Sequence, residues 1–246
     1  MKKVVGLFFL LVLICSTSAY GQNNFEVDRI TGGNGDDLRI TFIGHGSLQI
    51  VYNSQNIYID PVGNYADFKE FPAADLILIT HEHFDHLDST AVEQLSRDKT
   101  AVFVNSAGAD KIKAGLVMKN GDRAEAGGIV IEAVPAYNLV HRRPDGEPYH
   151  PAGSGNGYVL SLGQTRIYIA GDTENIPEMA NLAAIDIAFL PMNLPYTMTP
   201  EMTAAAARSF QPKILYPYHY GDTDPQKLVE LLKNDTKTEV RIRSMR

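Results

Sequence analysis

Apolar residues recur in short blocks, and their spacing predicts the elements. Leu38–Ile43, Ser47–Tyr52 and Asn56–Asp60 read as short strands, with Asn53-Ser54-Gln55-Asn56 as a hairpin turn. Leu76-Ile77-Leu78-Ile79-Thr80 is continuously apolar until Thr80, the signature of a strand buried on both faces. Residues 89–97 predict a helix, Ala101–Asn105 another buried strand, Asp110–Leu116 a short helix, and 129–134 a β-rich stretch. A second series follows, with strands at Tyr158–Leu162, Arg166–Ala170, Ile185–Leu190 and Ile214–Pro217. Asn175–Leu182 is weakly helical. Thr199-Pro200 is a helix start, since Thr caps the free amides and Pro suits the first turn. Asp224-Pro225 repeats that signal before the apolar stripe of Leu228, Val229, Leu231 and Leu232. Strands and helices alternate in an α/β pattern, and two halves, 38–134 and 158–246, have similar build without an evident sequence repeat.

The ends differ from this body. Met1-Lys2-Lys3, an apolar run from Val4 to Cys15 broken by Gly6, and the small residues Ser16–Ala19 have the three-part build of an export signal. The run is short for a bilayer span. A signal peptide over 1–21 is therefore expected, cleaved after Ala19 or Gly21, with a periplasmic or secreted protein as the product. An uncleaved anchor and a lipoprotein at Cys15 are the competing readings. Residues 22–37, polar and glycine-rich, read as a flexible lead-in to a single domain over 38–246. The closing Arg241–Arg246 reads as an edge strand with a solvated tail.

Composition narrows the function. Among 246 residues, 44% are hydrophobic, enough to fill a large core. The net charge of −7 gives no support to a nucleic-acid binder, which needs a basic surface. Cys15 is the only cysteine, so a cleaved chain has no thiolate for metal, disulfide or nucleophile. No second hydrophobic run is long enough to cross a membrane, so no stable insertion is expected after signal cleavage.

Chemistry concentrates in Thr80-His81-Glu82-His83-Phe84-Asp85-His86, directly after the buried strand. Imidazole nitrogens and carboxylate oxygens together suit a borderline divalent ion such as Zn, Mn or Fe. His81 and His83, two apart, point the same way from an extended or tight-turn backbone. Asp85 and His86 can face a second point. Gly171-Asp172-Thr173 and Tyr218-His219-Tyr220 also follow apolar strands, so three segments can meet at one sheet edge, where α/β sheets hold ligands. Taken alone, Asp172 reads as a turn or cap residue and His219 as a structural histidine.

These residues resemble the metallo-β-lactamase superfamily, whose histidine-rich signature is His81-Glu82-His83-Phe84-Asp85-His86 here. The resemblance covers nearly all of 38–220. Ile43-Gly44-His45-Gly46-Ser47 with Tyr58-Ile59-Asp60-Pro61 is similar to its lactonase-like and phospholipase-like branches. It implies a four-layered αββα sandwich with metals at the sheet edges. It further implies that His81 and His83 hold a first ion, Asp85, His86 and His219 a second, and that Asp172 bridges them.

A histidine usual after the strand at 129–134 is missing; that region reads Val134-Pro135-Ala136-Tyr137-Asn138. Asn138 and His150 are level candidates to replace it, with His141 behind, and a single ion at the second position is the other outcome. His45 and Asp60 read as turn or pocket-wall residues, Asp60 as an acceptor that fixes a histidine tautomer. The expected activity is attack of metal-activated water on a small lactone, ester or amide, with Asp85 orienting the nucleophile and Asp172 between the metals. Tyr196 or His150 is a candidate to support the leaving group. The competing functions are a phosphodiesterase, with Arg142-Arg143 gripping phosphate, and a non-catalytic metal- or ligand-binding module. Residues 135–157, rich in Pro and Gly and holding His141, Arg142, Arg143 and His150, read as a long functional loop.

Overall fold

A computed structural model describes residues 25–31, 37–113 and 115–245. The expected signal peptide lies outside them, as does half of the expected lead-in.

The strands form two seven-stranded sheets. In the first, β1 (Glu26–Thr31), β2 (Asp37–Gly44), β3 (Ser47–Tyr52), β4 (Gln55–Ile59), β5 (Leu76–Leu78), β6 (Ala101–Val104) and β7 (Leu116–Val117) lie side by side in chain order. The second is built from β8 (Arg123–Ala126), β9 (Ile129–Ala136), β10 (Gly155–Leu162), β11 (Thr165–Ile169), β12 (Ile187–Pro191), β13 (Ile214–Tyr218) and β14 (Glu239–Val240), again in chain order. In each sheet the first four strands are antiparallel and the last three continue in parallel. The similar build expected of the two halves is therefore a repeated topology. The boundary differs from expectation, because 129–134 belongs to β9 and so to the second sheet.

Two-sided burial explains the apolar run before His81. Leu76 and Leu78 face the core between the sheets, with Ile131, Leu160 and Ile169. Ile77 and Ile79 face the opposite way, against Val92 and Leu95 of α1 (Ser89–Leu95). On the far side of the second sheet, α2 (Pro200–Phe210) and α3 (Gln226–Leu232) bury Ala204, Ala207, Phe210, Leu228 and Leu232. The layers thus run α, β, β, α, as expected. Thr199 caps α2 by accepting from the Met202 amide, and Asp88 caps α1 through the Thr90 and Ala91 amides. Among the described residues no helix is long and apolar enough to cross a membrane.

Several local expectations are corrected. Within the expected lead-in, Glu26–Thr31 forms β1 although its side chains are mostly exposed. A distant partner holds it: Asp28 accepts from the Arg243 guanidinium at 2.7 and 2.8 Å and from the Tyr216 hydroxyl at 2.5 Å. The same contact overturns the solvated tail, where Met245 is fully buried. Asp110–Leu116 is not an α-helix; a 3₁₀ turn over Ser106–Lys111 leads towards β7. The long loop is shorter than 135–157, because β9 and β10 extend to Ala136 and from Gly155.

Candidate metal centre

The ligands that the resemblance implied, and Asp60 beside them, follow strands along one edge of the paired sheets. Asp60 follows β4, His81 to His86 follow β5, Asp172 follows β11 and His219 follows β13. Bonds between the sheets fix this edge: the Asn156 amide donates to Thr80 O at 2.9 Å, the Tyr158 hydroxyl to Ile79 O at 2.8 Å, and the His219 amide to His45 O at 3.1 Å. Gly171, at φ +65°, lets Asp172 approach, since a Cβ there would stand 2.8 Å from Asn156 O. Among the seven described non-glycine residues at positive φ, three are His45, Asp60 and His219. Such strain persists only where surrounding contacts over-determine it, and it gathers at functional sites.

His81, His83 and His150 form one group of donors, and His45, Asp85, His86 and His219 another; Asp172 groups with His81 and His86. Asp172 stands between them: its Oδ2 is 3.2 Å from His150 Nε2 and 3.4 Å from His219 Nε2, and its Oδ1 is 3.4 Å from His86 Nε2. His81 Nε2 and His83 Nδ1 are 3.1 Å apart, and His219 Nε2 and Asp85 Oδ2 3.6 Å.

These spacings fit a divalent ion. Two donors about 2.05 Å from a tetrahedral ion lie about 3.3 Å from each other. Buried His86 Nε2, His219 Nε2 and Asp172 Oδ1 have no hydrogen-bond partner. Buried polar atoms are normally satisfied, so these inward-facing orphans suit a divalent cation better than a purely structural cluster.

Neighbouring residues set which nitrogen of each imidazole is free. Asp60, completely buried, accepts from the Thr80 amide at 2.7 Å and hydroxyl at 2.6 Å, and from His86 Nδ1 at 2.8 Å. The His86 proton therefore sits on Nδ1, and Nε2 faces Asp172. Because the Thr80 hydroxyl donates to Asp60, its oxygen accepts from His81 Nδ1 at 3.0 Å, leaving His81 Nε2 free. Asn138 Oδ1 accepts from His150 Nδ1 at 2.6 Å, and Asn138 Nδ2 donates to Tyr196 O at 2.9 Å.

The electrostatics follow from this crowding. Burial opposes charge on His86, yet Asp172, Asp60 and Asp85 push its pKa up to about 9, so the ring holds a second proton, on Nε2, unless a cation takes that proton's place. Burial dominates at His81, whose pKa falls well below the ordinary value. Asp172 lies well below the usual carboxylate range: burial acts against its charge, and His219, His86 and His150 outweigh it.

The structure separates the candidates for the absent histidine. His150 Nε2 joins His81 and His83, Asn138 orients that ring, and His141 turns away, its Nδ1 2.5 Å from Glu174 Oε1. His45 Nε2 is 3.1 Å from Asp85 Oδ2, and its ring centroid is 3.7 Å from that of His219, so it lies inside the centre. Tyr196 meets Asn138 through its carbonyl, and its half-exposed ring packs edge-on against Tyr149.

Two residues escaped the sequence reading. Thr80 looked like the end of a strand, yet it links Asp60 to His81. Glu174, fully buried, accepts the Leu139, Val140 and His141 amides at 2.7, 2.6 and 2.7 Å and so anchors the loop that carries His150. Its one available signal was its place two residues after Asp172.

Fold and donors together define a metallohydrolase-type centre, and comparison with known proteins agrees. Residues 39–219 match a family model described as a beta-lactamase superfamily domain. The chain is 32% identical over 203 residues to a UPF0173 metal-dependent hydrolase of Methanopyrus kandleri, covering 76% of this chain and 86% of that one. A crystal structure of a protein designated a metal-dependent hydrolase, from Parabacteroides distasonis, superposes with a TM-score of 0.86 at 50% identity, over 90% of this chain and 100% of that one. Igni18, a metallo hydrolase of Ignicoccus hospitalis, shares the fold with a TM-score of 0.70 at 24% identity, over 85% and 96% of the two chains. The chain belongs to the metallo-β-lactamase superfamily. Its relatives are UPF0173 proteins, and the matches define the superfamily rather than a lactonase-like or phospholipase-like branch within it.

Proposed function

We propose that this protein is a hydrolase acting on a small lactone, ester or amide, with zinc the first choice of ion ahead of manganese and iron. The observation that carries this reading is the placement of Asp172 between two histidine groups whose free nitrogens point inward. A divalent ion bound there supplies a water acidic enough to attack at neutral pH and a Lewis acid for the developing oxyanion.

The chain's own residues do the rest. His81, His83 and His150 present one face, and Asp85, His86 and His219 the other. Asp60 and Asn138 hold His86 and His150 in the ligating tautomer. Asp85, held by His45, is placed to orient the attacking water. The donor set of the first group supports two ions rather than one, because His150 restores the third imidazole there. Similarity to UPF0173 metal-dependent hydrolases supports catalysis over a mere binding role. Export to the periplasm or medium, in keeping with the leading segment 1–21, belongs to the same proposal.

Metal content and turnover of ester, lactone and phosphodiester probes test it. Two zinc ions per chain are expected, with ester or lactone turnover lost on His83→Ala and Asp172→Ala. Zinc-loaded protein that turns over none of the probes overturns the reading, and phosphodiester turnover alone redirects it.

A further inference from the structure

The sequence pairs Arg142 with Arg143, and the structure separates them. A cavity of about 190 Å³ opens beside His81, His83, His150 and Asp172, and Arg143 lies in its wall with Tyr149. Arg142 is outside that wall, its Nη1 donating to Gly146 O at 3.0 Å.

We propose that Arg143 binds an anionic group of the substrate, a carboxylate or a phosphate, within this cavity. This rests on the hydrolase reading of the adjacent centre.

Three observations carry it. First, Arg143 is pre-positioned. Its Nη2 donates to Tyr149 O at 3.0 Å, its amide to Glu147 O at 2.7 Å, and its carbonyl accepts from the Gly146 amide at 2.9 Å. An isolated bridge between Arg142 and Pro148 closes the same turn. Glu174 anchors the start of this loop, and Asn138 and His150 bond to each other across it. Second, apart from that one bond to Tyr149 O the guanidinium keeps its charge unpaired: among the described residues no carboxylate lies within ion-pair distance of it. A planar fork with free N–H groups suits the paired oxygens of a carboxylate or phosphate. Third, neither acid lining the cavity competes for it. Glu82 Oε2 accepts from Asn105 Nδ2 at 2.7 Å, and Asp172 faces the imidazoles. The volume lies below the several hundred Å³ common for drug-sized ligands, so it suits one compact charged group beside the scissile bond.

The test uses the full, zinc-loaded protein and calorimetric titration with succinate, phenylphosphonate and neutral succinamide. Wild type and R142Q should bind at least one anion with the same Kd. R143Q should weaken that binding five-fold or more with zinc content unchanged, R143K should recover part of it, and succinamide should distinguish none of them. Loss for succinate alone assigns a carboxylate, and loss for phenylphosphonate alone a phosphate. Anion binding unchanged in R143Q, or no saturable anion binding by wild type, overturns the proposal. Arg143-dependent binding without turnover of any probe would sink the hydrolase reading and leave the anion site standing.

Discussion

Asp60→Asn probes the centre without touching a candidate ligand. The substitution nearly preserves shape, so its effect falls on where protons sit. Asp60 offers one oxygen to the Thr80 amide and the other to the Thr80 hydroxyl and to His86 Nδ1. Asparagine retains an acceptor for the amide but places an NH₂ where the second oxygen was. That NH₂ faces the proton on His86 Nδ1 at a 2.8 Å contact, inside a fully buried pocket. The ring then moves its proton to Nε2, the nitrogen that faces Asp172. Outer partners of ligating histidines are typically worth about 10–100-fold in metal affinity, or about 1.4–2.7 kcal/mol. Chelator competition on zinc-loaded protein should therefore show the group built on His86 weakened by that factor, and the group built on His81, His83 and His150 weakened less, because there the lost oxygen acts only through the Thr80 hydroxyl. Circular dichroism should show the fold intact. Wild-type affinity at both sites would refute the tautomer argument, and equal weakening at both would place Asp60's role in the scaffold instead.

Asn138→Leu should weaken zinc by about ten-fold at the other group, because His150 loses its Nδ1 acceptor, while Asn138→Asp keeps that acceptor and should hold zinc better than Asn138→Leu, at a cost in stability from the oxygen it turns towards Tyr196 O; competition and urea unfolding read the two effects. Gly171→Ala should cost about 1–3 kcal/mol in urea unfolding, since φ is +65° and the new Cβ would press on Asn156 O. Glu174 gives a pH dependence. Burial pushes its pKa up, but the His141, Val140 and Leu139 amides bring the net value below the ordinary one. Its contribution to stability is thus full above about pH 4.5 and is lost as pH falls through the depressed folded value. Unfolding curves of wild type and Glu174→Gln should accordingly differ at pH 7 and converge in acid; a constant gap would refute the assignment.

Much of the candidate site was legible because donor residues placed after strands leave a linear trace. The run Leu76–Thr80 had to be a two-sided strand, so the histidines after it had to emerge at a sheet edge. Asp172 and His219 each come shortly after an apolar strand, β11 and β13, and that placement is visible in one dimension. Helix starts at Thr199-Pro200 and Asp224-Pro225 were equally local, because capping is a matter of neighbouring amides.

What stayed hidden depends on contacts distant in sequence. Bringing His150 beside His81 and His83, with Asn138 bonded to its Nδ1, required a loop folded back on itself, and no spacing rule encodes that fold. The strand at 26–31 has too few apolar positions to announce itself; its ion pair with Arg243, across almost the whole chain, holds it in place. Tautomers at His81 and His86 were likewise undetermined until Thr80 and Asp60 met in the interior. Local periodicity and capping specified the elements and which of their ends carry chemistry. Only tertiary packing decided which donors share a point, because that depends on two sheets closing over one core.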